Sequence, residues 1–437
     1  MVLRALLAIL GGAVAHLPAM VLRPLCWALG RLLFLVHRPR RALLCRNLDL
    51  ALPFLKKRER RAIARRSASR LVELGLFSLA APFLSPGRIR RQFSLRGPWQ
   101  SVLENLRAGD RPQLLLIPHQ TLTEALTFLP LLLAVEKESL PVAILYRPFA
   151  NPVLESSVRR TRERFGLRLL SRKRSLAEAA SLLRSGGCVG LLFDQNAGAA
   201  GTLSLLCGRI VSSSPLAELF HGHGTENIWL ARVERTGFFR GTVAVEPLPA
   251  TEGTVAAASD LWLESHLERD GNFRSDWLWA HGRWKWPANR ILSLQSKRSA
   301  LDRALALRSL DSLPRRFPIA VRLANSPSAW QPVGEFLRAI REGRPDGHIT
   351  LLCPARLLDS ASWAFPDADA IAAGTRDAGP FDLYFTFSQS YLAGWEARGT
   401  PLRIGIGGRV RRPFLGQCIP SSERRHLVSL GLPMADP

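Results

Sequence analysis

The run Gln113-Leu114-Leu115-Leu116-Ile117 stops abruptly at Pro118-His119. Its aliphatic stretch is too short for a helix and shows no polar alternation, which suits a strand buried on both faces. Similar short runs recur at 142–146, 167–170, 189–193, 228–233 and 242–246, with helix-like stretches at 153–165 and 176–184 between them. Such alternation predicts an α/β layered domain in which helices flank a sheet. Gly186-Gly187 falls where a left-handed cap should end the second of those helices.

After His119 a Leu-rich run, 125–133, reads as a helix, so His119 closes a strand and Glu124 falls in the first turn that follows. Ligands of open α/β sheets bind at that edge. A neutral imidazole there can take a proton from an alcohol. A carboxylate on its far ring nitrogen would fix the tautomer and stabilise the imidazolium. Glu124 is the carboxylate expected in that role. The alternative is a histidine that caps the helix, with Glu124 favoured by the helix dipole.

The formal charge is +25, from 60 Lys and Arg against 35 Asp and Glu, in a chain that is 47% hydrophobic. That hydrophobicity excludes a disordered chain. The charge calls for a polyanionic partner: nucleic acid, anionic lipid headgroups, or phosphorylated carriers and substrates. The cations crowd beside an apolar N-terminus and are not interleaved along an aromatic stacking face, which argues against nucleic acid. Cys26, Cys45, Cys188, Cys207, Cys353 and Cys418 lie far apart, with neither disulfide-frame nor zinc spacing, as in a reducing, cytoplasm-facing location. No metal and no cofactor are expected. His221 and His223 form a pair without further ligands nearby and read as loop histidines.

Residues 1–37 are apolar but interrupted by Arg4, His16, Pro18, Arg23, Pro24 and Arg31. Pro18 and Pro24 should kink or end helices. The segment reads as two short amphipathic helices lying in a membrane interface, with a single tilted span as the alternative. A basic block follows, from Arg38, Arg40, Arg41 and Arg46 to Lys56, Lys57, Arg58, Arg60, Arg61, Arg65, Arg66 and Arg70. Beside an anionic leaflet each such charge adds about 1 kcal/mol of attraction. Helices are expected at 43–52 and 62–84, ending near Ser85-Pro86-Gly87.

Arg- and Ser-rich composition near 291–316 reads as a linker, after which a second α/β unit begins. Its expected strands are 319–324, 349–353 and 383–387, with a helix at 333–342, which is half of a doubly wound nucleotide-binding fold. Gly405, Gly407 and Gly408 form a late loop that lacks the spacing of a phosphate-binding turn.

Several motifs stand in one order. They are Arg46-Asn47-Leu48 with Pro53, the His119 to Glu124 pair, Tyr146-Arg147-Pro148 with Asn151-Pro152, and Leu170-Ser171-Arg172-Lys173 with Gly186-Gly187. Phe193-Asp194-Gln195, Cys207-Gly208-Arg209 and Trp279-Ala280-His281-Gly282-Arg283-Trp284-Lys285 complete the series. In this order the chain from 29 to 287 resembles the bacterial late acyltransferases of lipid A biosynthesis, within the wider lysophospholipid and glycerolipid acyltransferase superfamily. Cys207 replaces a phenylalanine of that pattern.

The resemblance implies a membrane-associated acyltransferase at the cytoplasmic face of the bacterial inner membrane. It would move a fatty acyl chain from acyl-carrier protein to a hydroxyl of an anionic glycolipid, a lipid A precursor. His119 would be the general base and Glu124 its orienter. Arg147 and Arg172 would contact the oxyanion or an acceptor phosphate, and Asp194 would organise the site or cap a turn. His281, Arg283 and Lys285 would brace the fold or bind acceptor phosphate. Acylation of another glycolipid or of a lysophospholipid fits the same pair, and a catalytically silent membrane-binding scaffold is the reading from another class.

More faintly, Val321-Arg322-Leu323, Leu337-Arg338-Ala339-Ile340, Arg344-Pro345-Asp346 and the stretch Thr400-Pro401-Leu402-Arg403-Ile404-Gly405 resemble the N-terminal half of the heptosyltransferases. Where that family carries a Gly-Asp pair whose Asp serves as base, this chain reads Ser328-Ala329. The resemblance therefore implies a truncated, inactive glycosyltransferase-like domain. The expected division is an anchor at 1–37, an acyltransferase domain at 38–290, a linker at 291–316 and the truncated domain at 317–437.

Overall fold

A computed structural model describes residues 2–136, 138, 140–222, 227–249, 253–285, 297–378, 380–388, 390–398, 400–406 and 417–419. The chain divides into two compact units, Met1–Cys207 with Val211–Trp284, and Gly208–Ile210 with Lys285–Pro437.

The first unit is built on a seven-stranded sheet. Its strands are β1 (Phe93–Arg96), β2 (Gln113–Ile117), β3 (Val142–Tyr146), β4 (Arg168–Ser171), β5 (Cys188–Leu192), β8 (Asn227–Gly237) and β9 (Arg240–Pro247). β6 (Thr202–Leu206) and β7 (Arg209–Ser213) form a separate two-stranded sheet. The order is β1-β9-β8-β2-β5-β3-β4, with β8 and β9 antiparallel and every other pair parallel. β2 lies at the centre. Leu114 and Leu116 join one core layer, and Leu115 and Ile117 join the layer on the other face. With period-two side chains, only a strand covered on both faces can be continuously apolar.

The helix Leu176–Arg184 ends as its glycines require. Gly186 has φ +76°, its N–H donates to the Leu183 carbonyl, and the Gly187 N–H donates to the Leu182 carbonyl. Those two bonds are the Schellman pattern. The expected helix 125–133 is instead a 3-10 turn, Thr123–Phe128, followed by one α turn, Leu129–Leu132.

The N-terminus forms α1 (Val2–His16), α2 (Ala19–Val36), α3 (Arg38–Ala51) and α4 (Lys57–Ala80). Leu17-Pro18 separates α1 from α2, but Pro24 lies inside α2 without ending it. α2 is long and apolar enough to cross a membrane by length and composition. Val14, Ala15 and Leu22 bury their side chains in the core layer that holds Phe77 of α4. Ile9, Met20, Leu32, Leu35 and Val36 are exposed on the outside.

The second unit holds six parallel strands: β10 (Phe317–Arg322), β11 (Gly347–Leu352), β12 (Ala370–Ala372), β13 (Leu383–Thr386), β14 (Leu402–Ile406) and β15 (Gln417–Ile419). Their order is β12-β11-β10-β13-β14-β15. That is the full 3-2-1-4-5-6 arrangement of a doubly wound sheet, larger than the half unit read from the sequence. Gly405 belongs to β14, whereas Gly407 and Gly408 lie outside the described residues. Arg298–Ala306, within the stretch expected as linker, is an α-helix.

Candidate active site

The parallel strands β2 and β5 lie side by side, with Ile117 opposite Leu192. Two residues past each strand end, His119 and Asp194 meet. His119 Nδ1 lies 2.5 Å from Asp194 Oδ1, and the His119 backbone N–H donates to Oδ2 at 2.9 Å. The Trp277 indole N–H donates to the same Oδ2 at 2.6 Å. Asp194 is fully buried. Burial alone would raise its pKa, but the His119 charge and hydrogen bonds, with His281 nearby, hold it well below the usual carboxylate range. An ionised Asp194 makes Nδ1 the protonated ring nitrogen. Nε2 then carries the lone pair, and the Gln195 amide N–H donates to it at 2.9 Å.

Glu124 does not fill the orienting role expected of it. The 3-10 turn carries its carboxylate to Arg162 of the helix Pro152–Arg162, where Nε to Oε2 is 2.9 Å and Nη2 bonds Oε1. This fork-on-fork pair is mostly buried. Burial would lower the Arg162 pKa, but Glu124 more than offsets it and raises it. Both residues line the cavity that contains His119.

The loop 276–279 clamps the strand end that carries His119. Gln120 and Trp277 form an antiparallel bridge, Leu278 N–H donates to the His119 carbonyl at 2.9 Å, and Thr121 N–H donates to the Asp276 carbonyl at 3.0 Å. The clamp is itself held from the N-terminal helices. Asn47 Nδ2 donates to the carbonyls of Trp279 (2.8 Å) and His281 (2.7 Å), and Arg40 Nη1 donates to the Ala280 carbonyl at 2.7 Å. Arg46-Asn47-Leu48 thus supports the loop through its asparagine. Asp276 pairs with Arg70 at 2.8 Å, yet burial pushes its carboxyl up to about 6.

The other expected site residues sort by exposure. Arg147 and Arg172 are exposed and line the His119 cavity, a space of about 400 Å³. They are neighbours across β3 and β4, where the Arg172 N–H donates to the Tyr146 carbonyl at 3.0 Å. Arg283, expected to brace the fold or to bind acceptor phosphate, is fully buried. It donates to Asp260 at 2.6 Å, Ser213 Oγ at 2.7 Å and the Ser212 carbonyl at 2.8 Å, which braces the hairpin β6–β7. His281 sits between the carbonyls of Leu278 (2.5 Å) and Asp194 (3.0 Å), where it braces the loop, and burial lowers its pKa. Lys285 is exposed and outside the cavity lining. His221 ends the helix Leu216–His221, and His223 lies outside the described residues. Among the described residues no group of three His, Cys, Asp or Glu side chains could hold a metal ion.

Sequence reasoning missed Gln195, Arg162 and Trp277. Gln195 adjoins Asp194 and could have been found from the strand-end geometry. The other two reach the site only through the tertiary fold.

An apolar groove of about 890 Å³ lies beside the cavity, walled by α1, α4 and the helix Pro152–Arg162. Ser78, Glu124 and Phe149 line both spaces. A half-buried imidazole on a buried carboxylate, at the carboxyl edge of a parallel sheet and opening toward an apolar groove, has the parts of a group-transfer site for an amphipathic substrate.

Residues 2–205 match the family model of the bacterial lipid A biosynthesis acyltransferases, so over just under half its length the chain is similar to that family, which points to an acyltransferase. No curated protein matches. Among solved structures, a glycosyl transferase family 9 protein from Veillonella parvula DSM 2008 is similar at 14% identity, with a TM-score of 0.23. That match covers 28% of this chain and 42% of that one.

Proposed function

We propose that this protein transfers a fatty acyl chain from a carrier thioester, that of acyl-carrier protein, to a hydroxyl of a lipid A precursor. The work would be done at the cytoplasmic face of the bacterial inner membrane. The observation that carries the reading is the His119–Asp194 pair, whose Nδ1 is engaged by the carboxylate while Nε2 is turned to a side chain of the cavity.

The acceptor hydroxyl displaces the Gln195 amide and gives its proton to His119 Nε2 as its oxygen attacks the thioester carbonyl. Asp194 stabilises the imidazolium without taking the proton. The tetrahedral oxyanion needs donors, and Arg147 and Arg172 are the exposed guanidiniums of the cavity lining. Collapse breaks the carbon–sulfur bond, and the imidazolium returns its proton to the leaving thiolate. The ester stays on the acceptor. Glu124 shapes the cavity through Arg162 and does not bind the imidazole. The apolar groove suits the acyl chain. The exposed apolar residues of α1 and α2, followed by the basic block, suit docking on an anionic leaflet. In the second unit, exposed Ser328 and Ala329 offer no general base, and we assign that unit no sugar transfer.

The test uses the purified full chain with acyl-carrier thioester and a lipid A precursor, read by mass spectrometry of the lipid. Wild type should add one acyl chain, and His119→Ala should lower the rate by about 100-fold or more. Absence of product from wild type, or undiminished product from His119→Ala, would overturn the reading. Lysophospholipid and other glycolipid acceptors in parallel reactions identify the acceptor class.

A further inference from the structure

The ring nitrogen that must take the proton already has a partner. Asp194 keeps the His119 proton on Nδ1, so Nε2 can only accept, and the Gln195 carboxamide donates to it at 2.9 Å. That bond covers the one atom on which base catalysis depends. Other polar side chains of the cavity are tied into the fold. Thr123 Oγ accepts from the Gln120 N–H at 2.7 Å and donates to the Gln120 carbonyl at 2.9 Å. Glu124 is held by Arg162. Asn196 donates to the Arg283 carbonyl at 2.9 Å and accepts from the Gly198 N–H at 2.7 Å.

Gln195 is built differently. Its main chain is anchored on both sides: the Asp194 carbonyl lies 3.0 Å from His281 Nε2, the buried Arg283 donates to the Gln195 carbonyl at 3.5 Å, and the Ala197 N–H donates to the Ser212 carbonyl at 3.1 Å. Its side chain is exposed, and among the described residues the bond to His119 is the single hydrogen bond it makes. A singly tethered side chain on a fixed main chain moves by its own torsions, from one staggered rotamer to another, and leaves the loop in place.

A thioester in this cavity faces two nucleophiles, the acceptor hydroxyl and water. His119 serves either by the same step. The O–H gives its proton to Nε2, the oxygen attacks the carbonyl carbon, the carbon–sulfur bond breaks, and the thiolate takes the proton back. A lipid hydroxyl yields an ester and water yields a free fatty acid. Water brings no binding contacts with which to turn the carboxamide aside, whereas a headgroup seated in the cavity does. We propose that Gln195 guards the base: its carboxamide holds Nε2 while the acyl donor waits and yields to a seated acceptor, so it sets how acyl chains divide between transfer and hydrolysis. An amide suits this part because it donates to Nε2, is a poor nucleophile, and as an uncharged donor makes a bond modest enough to displace. The proposal deepens the acyltransferase reading and rests on it for the thioester donor.

The experiment incubates the purified full chain with acyl-carrier thioester, with and without a lipid A precursor, and counts free fatty acid and acylated lipid by mass spectrometry. Without acceptor, Gln195→Ala should release fatty acid about tenfold faster than wild type, the factor that one neutral hydrogen bond supports. With acceptor, the fatty acid released per chain transferred should rise by a similar factor. Gln195→Met keeps length and bulk without a donor and should leak as the alanine variant does. A Gln195→Met chain as tight as wild type would overturn the hydrogen-bonded guard. Adding His119→Ala to Gln195→Ala should abolish the gain, and a gain that survives overturns the proposal. Equal hydrolysis by wild type and Gln195→Ala overturns it as well. The two readings fail separately. Faster hydrolysis by Gln195→Ala with no lipid product from wild type keeps the guard and removes the lipid acceptor. Lipid product from wild type with equal hydrolysis keeps the transferase and removes the guard.

Discussion

A carboxylate surrounded by three hydrogen-bond donors stays ionised when buried, and an ionised Asp194 lets His119 keep its proton on Nδ1. Replacing Asp194 with Asn keeps the shape but offers an amide where the ring needs an acceptor with charge. The amide can turn its N–H toward the ring and select the wrong tautomer. Asp194→Asn should therefore lower kcat by about 10³–10⁴ with KM little changed, as steady-state acyl transfer would show. A rise confined to KM would place Asp194 in substrate binding instead. His119 and Asp194 were each legible in the sequence, but their partnership was not. They stand 75 residues apart and meet because β2 and β5 are neighbours, a fact of topology rather than spacing. Glu124 was the nearer carboxylate in sequence, yet the 3-10 turn aims it at Arg162.

At the scale of elements, legibility followed burial within the seven-stranded sheet, whereas the buried strands β6 and β7 of the small hairpin were missed. β2, β3 and β5 were read almost to the residue, because strands in the middle of a parallel sheet are apolar throughout. β1 was missed: it is an edge strand of four residues whose first alone is buried. β12, β14 and β15 of the second sheet were missed as well, β12 and β15 being edge strands of three residues each. Glycine punctuation was legible where it serves a steric need. A Cβ on Gly186 would come within 2.0 Å of the Gly109 carbonyl oxygen, and φ there is +76°. The left-handed conformation alone costs an ordinary residue about 1–2 kcal/mol. Gly186→Ala should thus lower the thermal midpoint of the first unit by several degrees, measured by scanning calorimetry. An unchanged midpoint would mean that the Gly109 turn yields freely.

For the molecule as a whole, the outward side of α2 is unusual for a water-facing helix. Leu32 and Leu35 are 56% and 65% exposed, and Trp27 is 54% exposed beside Arg31. A bilayer would cover that surface. Leu32→Glu with Leu35→Glu places charges where they cost about 2–3 kcal/mol each in hydrocarbon. The double variant should shift from the membrane pellet to the supernatant on fractionation, while unchanged pelleting would locate the attachment elsewhere. The inner side of α2 was not legible from the sequence, because an apolar helix facing lipid and one facing a core have the same composition. Leu22, Cys26 and Gly30 are buried, and a Cβ on Gly30 would meet the Ser69 backbone at 2.4 Å.

The ties from Asn47 and Arg40 to the loop at 279–281 bear on how the protein can be handled at the bench. Trimming the apolar leader is a usual route to a soluble enzyme. Here a cut beyond α2 removes or frays the segment that steadies the tryptophan loop under Asp194. Shortened versions will trade activity for solubility, and detergent or nanodisc preparations of the full chain are the better material for enzymology.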